Sequence, residues 1–242
     1  MKKVFGFTLL FFMGLFTCGA QNFNNYMGSG YENNIFKLNI GSLLTKTISV
    51  EYERIVSSNT SFAVSFGLTN KSKIPFSSIL GNSFDQADAL TMSKFSIVPS
   101  YRYYLSKEAF RGFYVAPFLK VAGSSIAIDY NFDNGGSVKT IPISGSIIGI
   151  NGGVLIGAQY ALGNSFSVDF SIFGPHYGFS TGRLVGAIPL NINEQNALQK
   201  DLDNLDLPII KTTNTVTNNG ASIKIKGPWM GVQSNIGIGY KF

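Results

Sequence analysis

Apolar residues fall on alternate positions in one segment after another of this chain, and a period of two marks strands with one apolar face. In the run 61–69, Phe62, Val64, Phe66 and Leu68 alternate with Ala63, Ser65 and Gly67. Farther on, Ile148, Ile150, Val154 and Ile156 are set against Gly149, Asn151, Gly153, Gly157 and Gln159. Phe166, Val168, Phe170 and Ile172 are set against Ser167, Asp169 and Ser171. Eight such segments are predicted, near 36–44, 47–56, 61–69, 94–106, 112–129, 143–161, 165–180 and 222–242. Strands of this kind carry unpaired backbone edges until a sheet closes them. The predicted fold class is therefore all-β.

The connections alternate in length. Ser57–Thr60, Lys107–Arg111 and Leu162–Asn164 are short, whereas 70–93, 130–142 and 181–221 are long; only the turn near Thr45–Lys46 breaks the rule. Short turns at one end and long loops at the other are the pattern of outer-membrane barrels. A soluble sandwich or lipocalin-type barrel has the same periodicity with its apolar face inward. The charges separate the two. Lys37, Glu51, Glu53, Arg102, Lys120, Asp169 and Lys241 all lie on the phase opposite the apolar stripe. A hydrated lumen holds a set of both signs, and a dry core does not. Arg54 breaks the phase, beside a turn where its head group snorkels to water. These features predict an eight-stranded antiparallel transmembrane β-barrel in the cell outer membrane, with one long outer loop carrying a short helix. Phe62, Val64, Ile150, Val168 and Tyr240 are expected to face lipid. Pro99 and Pro117 fall inside strands, where each removes a ladder donor, so a bulge or break is expected at each.

Composition agrees. Charged residues make up 13%, with 27 Gly, 21 Phe and 11 Tyr, against about 25% charged in an average soluble chain. The basic residues are scattered, which argues against a nucleic-acid partner. At the N-terminus, Lys2 and Lys3 precede an apolar run from Val4 to Phe16, and "TCGAQ" supplies small residues for a cut. That run is shorter than the roughly 20 residues of a membrane helix. The expected organisation is a cleaved signal peptide (1–20), a polar linker (21–34) and a barrel (35–242). Cys18, the only cysteine, lies in the signal after Thr17, which argues against lipid attachment and leaves the mature chain without a disulfide.

The closing stretch "SNIGIGYKF" resembles the C-terminal signal of outer-membrane barrels, with Ile238, Tyr240 and Phe242 in step. That resemblance implies the barrel-assembly machinery as a partner, beside outer-membrane lipid. The blocks "FKLNIGSLLTKTISVEYER", "YRYYLS" and "GFYVAPFLK" look like those of small Bacteroidota outer-membrane barrels of unknown function. This resemblance implies an eight-stranded barrel and carries no catalytic residues with it.

Three candidate sites follow. If "LTK" makes a three-residue turn, Lys37 falls opposite Glu53, with Arg102 and Lys120 in reach of Glu51; this set is either a salt-bridged plug or an ion path. His176, the only histidine, precedes Ser180 by four residues near an outer strand end, and a His–Ser pair at a membrane rim is a lipid-hydrolase arrangement. Ala197, Leu198, Leu202 and Leu205 lie at helical spacing within 191–208, either covering the barrel mouth or docking an envelope protein through the 181–221 loop. No metal or cofactor is expected, because no His, Cys and carboxylate cluster has ligand spacing. Three functions follow in order: a structural or loop-binding barrel, a narrow pore for ions or small solutes, and a membrane-lipid hydrolase using His176 and Ser180.

Overall fold

The computed structural model describes residues 33–73, 89–204 and 211–242. The expected signal peptide, most of the linker, much of the 70–93 connection and Leu205 lie outside the described residues. Among the described residues, nine strands form one antiparallel sheet: β1 (Asn34–Asn39), β2 (Thr47–Ser57), β3 (Thr60–Lys73), β4 (Thr91–Tyr104), β5 (Gly112–Asp133), β6 (Val138–Leu162), β7 (Phe166–Gly186), β8 (Lys211–Thr217) and β9 (Gly220–Lys241). Helix α1 spans Ile192–Asp203. The strand order is β1-β2-β3-β4-β5-β6-β7-β9-β8, and β1 also pairs with β9. Eight strands thus close a ring, with β8 added outside it. Sequence reading missed β8 because "KTTNTVT" has no apolar stripe.

The ring is uneven in height. β1 to β4 have 6 to 14 residues, whereas β5, β6, β7 and β9 have 21 to 25. One of the expected long loops, 130–142, is therefore mostly sheet. Only 134–137 links β5 to β6, with Gly135 and Gly136 at φ of 71° and 110°. The 181–221 segment holds the end of β7, then α1 and β8. Pairing continues this far because Tyr130, Phe132, Ile141 and Ile143 bury their side chains on the inner face there, against Leu198 and Leu202 of α1. β1, in contrast, stops at Asn39, before the expected end near 44. The chain winds instead into a 3-10 turn at Gly41–Thr45 and leaves it through Lys46 at φ 55°.

β9 serves two closures. Its last residues pair with β1, from Ile35 with Lys241 to Asn39 with Gly237. Its first residues pair with β8, from Thr217 with Gly220 to Lys211 with Lys226. Below, the ring is complete. Above, a curved wall of β5, β6, β7, β9 and β8 is filled on its inner side by α1.

Neither proline produces a bulge. The β4–β5 ladder keeps one register through Ile97 with Val121, Ser100 with Phe118 and Tyr103 with Val115, and it lacks the pairs at Pro99 and Pro117. On the other flanks, Val64 pairs with Pro99 and Pro117 with Val154 without a shift. Both missing donors thus fall on a single seam.

Outside the ring, apolar side chains stand exposed. Ile150 is 59% and Phe179 70% accessible, and Phe36, Leu68, Phe113 and Tyr240 are similar. Phe62 and Val168 are half-buried on this face. Val64 points outward yet is only 7% accessible, since Tyr52 and Pro99 flank it in register.

Candidate functional site

Inside the ring, five charges meet in one buried layer. Lys37 enters from β1, Glu51 and Glu53 from β2, Arg102 from β4 and Asp169 from β7. Alternation puts all five on the lumen face. The Lys37 Nζ lies 3.0 Å from Glu51 Oε1, donates to Asp169 Oδ2 at 2.6 Å and also contacts Glu53. Arg102 donates through Nη1 to Asp169 Oδ2 at 2.6 Å and Glu53 Oε2 at 3.1 Å, and through Nη2 to Glu51 Oε1 at 2.7 Å. Each cation therefore touches all three carboxylates.

Polar neighbours complete the layer. Tyr104 donates to Glu53 Oε1 at 2.6 Å, Tyr114 to Asp169 Oδ1 at 2.8 Å and Ser65 to Glu51 Oε2 at 2.6 Å. Ser61 donates to Glu53. Gln159 Oε1 accepts from Lys37 at 3.1 Å. The Arg102 guanidinium lies 4.6 Å from the centre of the Tyr114 ring. Seven of the ring strands contribute a side chain, and the eighth, β9, contributes space. A Cβ on Gly239 would lie 2.6 Å from Ile35 Cγ2, 2.7 Å from Ser167 Oγ and 2.9 Å from Lys37 Cγ.

The direct register partner of Lys37 is Glu51, and Glu53 is opposite Ile35. The sequence expectation that Lys37 stands opposite Glu53 is thus corrected by two residues, because the connection with its 3-10 turn at Gly41–Thr45 is centred on Leu44, one residue before the centre of an "LTK" turn. Lys120 and Lys241 stand apart from the five. Lys241 is opposite Ile35 at the lower end. Lys120 lines a cavity of about 440 Å³ above the layer, with Asn39, Ser65, Gln233, Glu51 and Arg102. Tyr104, Tyr114 and Gln159 were not predicted as members. Of these, Tyr104 keeps the phase of Arg102 along β4.

The arrangement is a lock and not a metal centre. Oxygens of Glu51, Glu53 and Asp169 lie within 4.8 Å of one another, and the ammonium and guanidinium already stand among them. Burying five charges costs several kcal/mol per ion before pairing returns it. The layer is thus better suited to fixing strand positions than to adding net stability.

His176 and Ser180 do not meet. Both point inward from β7, four residues apart, which is about 13 Å along a strand. His176 packs edge-on against Phe118 at 6.0 Å, with Nδ1 3.4 Å from Gly174 O, and Ser180 donates to Gly227 O at 3.3 Å. The expected strand end is in fact mid-strand, since β7 runs on to Gly186, so the histidine is buried and not at a rim.

Helix α1 begins with a capping box. Asn191 Oδ1 accepts from Glu194 N at 3.0 Å, and Glu194 Oε2 accepts from Asn191 N at 2.8 Å. The Glu194 carboxyl is held below its usual range, first by Lys139, which lies 2.9 Å away, and then by the Asn191 backbone. Leu198 and Leu202 are fully buried in the upper core with Ile128, Ile223 and Ile225. Gln199 Oε1 accepts from Val216 N at 3.0 Å, which covers the free edge of β8. Leu198 and Leu202 of the expected stripe are therefore packed internally, over the inner side of the wall.

Ile238, Tyr240 and Phe242 all face outward and exposed, with Tyr240 edge-on to Phe166 at 5.5 Å. Phe242 N donates to Asn34 O at 2.9 Å, which ties the end of β9 to the start of β1.

Among solved structures, the chain is similar to the N-terminal β-barrel domain of Pseudomonas aeruginosa OprF, at 11% identity over 88% of this chain and 99% of that one, with a TM-score of 0.27. No curated protein matches the sequence. Residues 7–181 match the family model described as "Protein of unknown function (DUF3575)", and the chain belongs to that family.

Proposed function

We propose that the protein is an integral outer-membrane β-barrel with a structural or binding role, closed to free diffusion. The ionic lock carries this reading: five buried charges and two tyrosines span the lumen where a channel would run. An eight-stranded barrel has an interior about wide enough for side chains. The outward apolar belt and the signal-like N-terminus support the outer-membrane location. The outward Ile238, Tyr240 and Phe242 fit recognition by the barrel-assembly machinery. The binding surface in this reading is the tall wall from β5 to β9. An envelope protein partner would use its outer side, since the inner side is filled by α1.

Planar-bilayer recording tests the reading. The expected result is no steady conductance from the wild type, with heat-modifiable migration on gels and recovery in the membrane fraction. A stable ohmic pore would overturn it. A narrow pore is the second reading, favoured by the cavity of about 440 Å³ that reaches Glu51 and Arg102 from above. In that case Glu51→Gln would change ion selectivity.

A further inference from the structure

Above the apolar belt, the outer face of the tall wall turns cationic. Arg183 on β7 stands opposite Lys224 on β9, and Lys226 on β9 stands opposite Lys211 on β8. All four are exposed. Like charges directly opposite each other in a strand pair repel. Among the described residues, the ion pairs outside the lumen lie elsewhere, at Arg111 with Glu108 and Lys139 with Glu194.

The same cations border a groove. Its volume is about 500 Å³, and Arg183, Lys224 and Lys226 line it together with Ser125, Ser146 and Thr181. Its floor is small and rich in hydroxyls, and its lining includes no carboxylate. The Phe95 ring lies across Gly123 along one wall.

The height of the groove points to its ligand. Along β9 the outward residues from Tyr240 to Pro228 are mostly apolar, and Lys226 and Lys224 follow immediately. At about 3.3 Å per residue and a tilt of about 40°, that apolar stretch covers about 30 Å, which matches a hydrocarbon core. Beside it, Phe179 and Ile148 give way to Thr181 and Arg183 within the next two outward positions. The cations thus begin where acyl chains end.

We propose that this groove binds the phosphate groups of a phosphorylated acyl glycolipid in the outer leaflet, with Arg183, Lys224 and Lys226 as ligands and Phe95 and Ile148 against the upper acyl chain. This rests on the outer-membrane reading, with the α1 end outermost. Phosphate accepts from several cations at once, which relieves the Arg183–Lys224 repulsion, and the guanidinium offers a two-point contact. Thr181, Ser125 and Ser146 supply neutral donors.

The test uses the whole barrel, first inserted into neutral phosphatidylcholine vesicles and then titrated in mild detergent with lipid A carrying two phosphates. Wild-type protein should bind the lipid, and binding should weaken with salt. The triple variant Arg183→Gln, Lys224→Gln, Lys226→Gln should insert normally and lose about fivefold in affinity per cation removed. The charge-conserving pair Lys224→Arg, Lys226→Arg should retain binding. Undiminished binding by the triple variant, or equal competition by inorganic phosphate, would overturn the lipid proposal while leaving the barrel reading intact. Failure of every form to insert into neutral vesicles would instead sink the membrane reading, and this proposal with it.

Discussion

The lower ring and the upper compartment solve the same packing problem with opposite chemistry. Both enclose the inner faces of the same long strands. Below, that face presents Asp169 and Gln159; above, it presents Ile141, Ile143, Ile223 and Ile225. In the lower space a layer of side chains from seven strands holds together through charge, next to buried apolar residues such as Val98, Phe118 and Leu155. In the upper space, Leu198 and Leu202 of α1 pack against that face. Charge is directional and fixes position, so it suits a closed ring whose strands need one register. Apolar packing tolerates rearrangement, so it suits an added element. The difference teaches that the two regions should fail separately.

Arg102→Met is expected to have the largest effect. It leaves three buried carboxylates around Lys37 alone, and breaking such a group costs about 3–5 kcal/mol. Urea unfolding in detergent, read by heat-modifiable migration, measures it. Replacing the lock more completely by apolar residues should recover much of the loss, because desolvation is then relieved as well. If the single variant is as stable as wild type, the lower ring does not depend on its charges.

Leu198→Ala comes next, at about 2–4 kcal/mol. This loss should be confined to the upper compartment. Protease cleavage within 187–219 should rise while heat-modifiability of the ring is unchanged. A parallel loss of both would merge the two regions into one cooperative unit. Gly239→Ala should cost about 1–3 kcal/mol by overpacking against Ile35 and Lys37, and it should affect the ring only.

The smallest effects belong to the α1 cap. Asn191→Ala should cost about 1 kcal/mol, visible as faster amide exchange in α1. Acid should act on the same cap. The carboxyl of Glu194 sits lower in the folded protein than in the unfolded chain, so its contribution is complete above the ordinary carboxyl value of 4.5 and fades as the pH falls below it. Protection of α1 should therefore decline on acidification from about pH 5, and Glu194→Gln should flatten that decline.

The lower region was more legible in the sequence than the upper one. Period two assigns each charge to a face, so Lys37, Glu51, Glu53, Arg102 and Asp169 declared themselves by phase. Their register did not, because it depends on a turn whose winding into 3-10 form is invisible in "GSLLT". Tyr104 and Tyr114 were hidden because an aromatic residue near a strand end suits a membrane interface as well as a buried hydrogen bond. Above, β8 is a lysine followed by threonine and asparagine around one valine, and its evidence lay in β-branched content and the Asn-Asn-Gly turn at 218–220, not in alternation. Where strands end was illegible for a tertiary reason. Tyr130, Phe132 and Ile141 remain in strand because α1 covers them, and α1 is distant in sequence.

The double duty of β9 has a kinetic consequence. Its pairing with β8 joins residues only a few positions apart, whereas its pairing with β1 joins Ile35 to Lys241 across nearly the whole chain. Closing a long loop is entropically harder than closing a short one, and contacts of great sequence separation form slowly. The hairpin at the top is therefore ready early, and the seam at the bottom closes last. Until that moment β1 and the lower end of β9 are two open edges of one sheet, and the five charges of the lumen are still in contact with water.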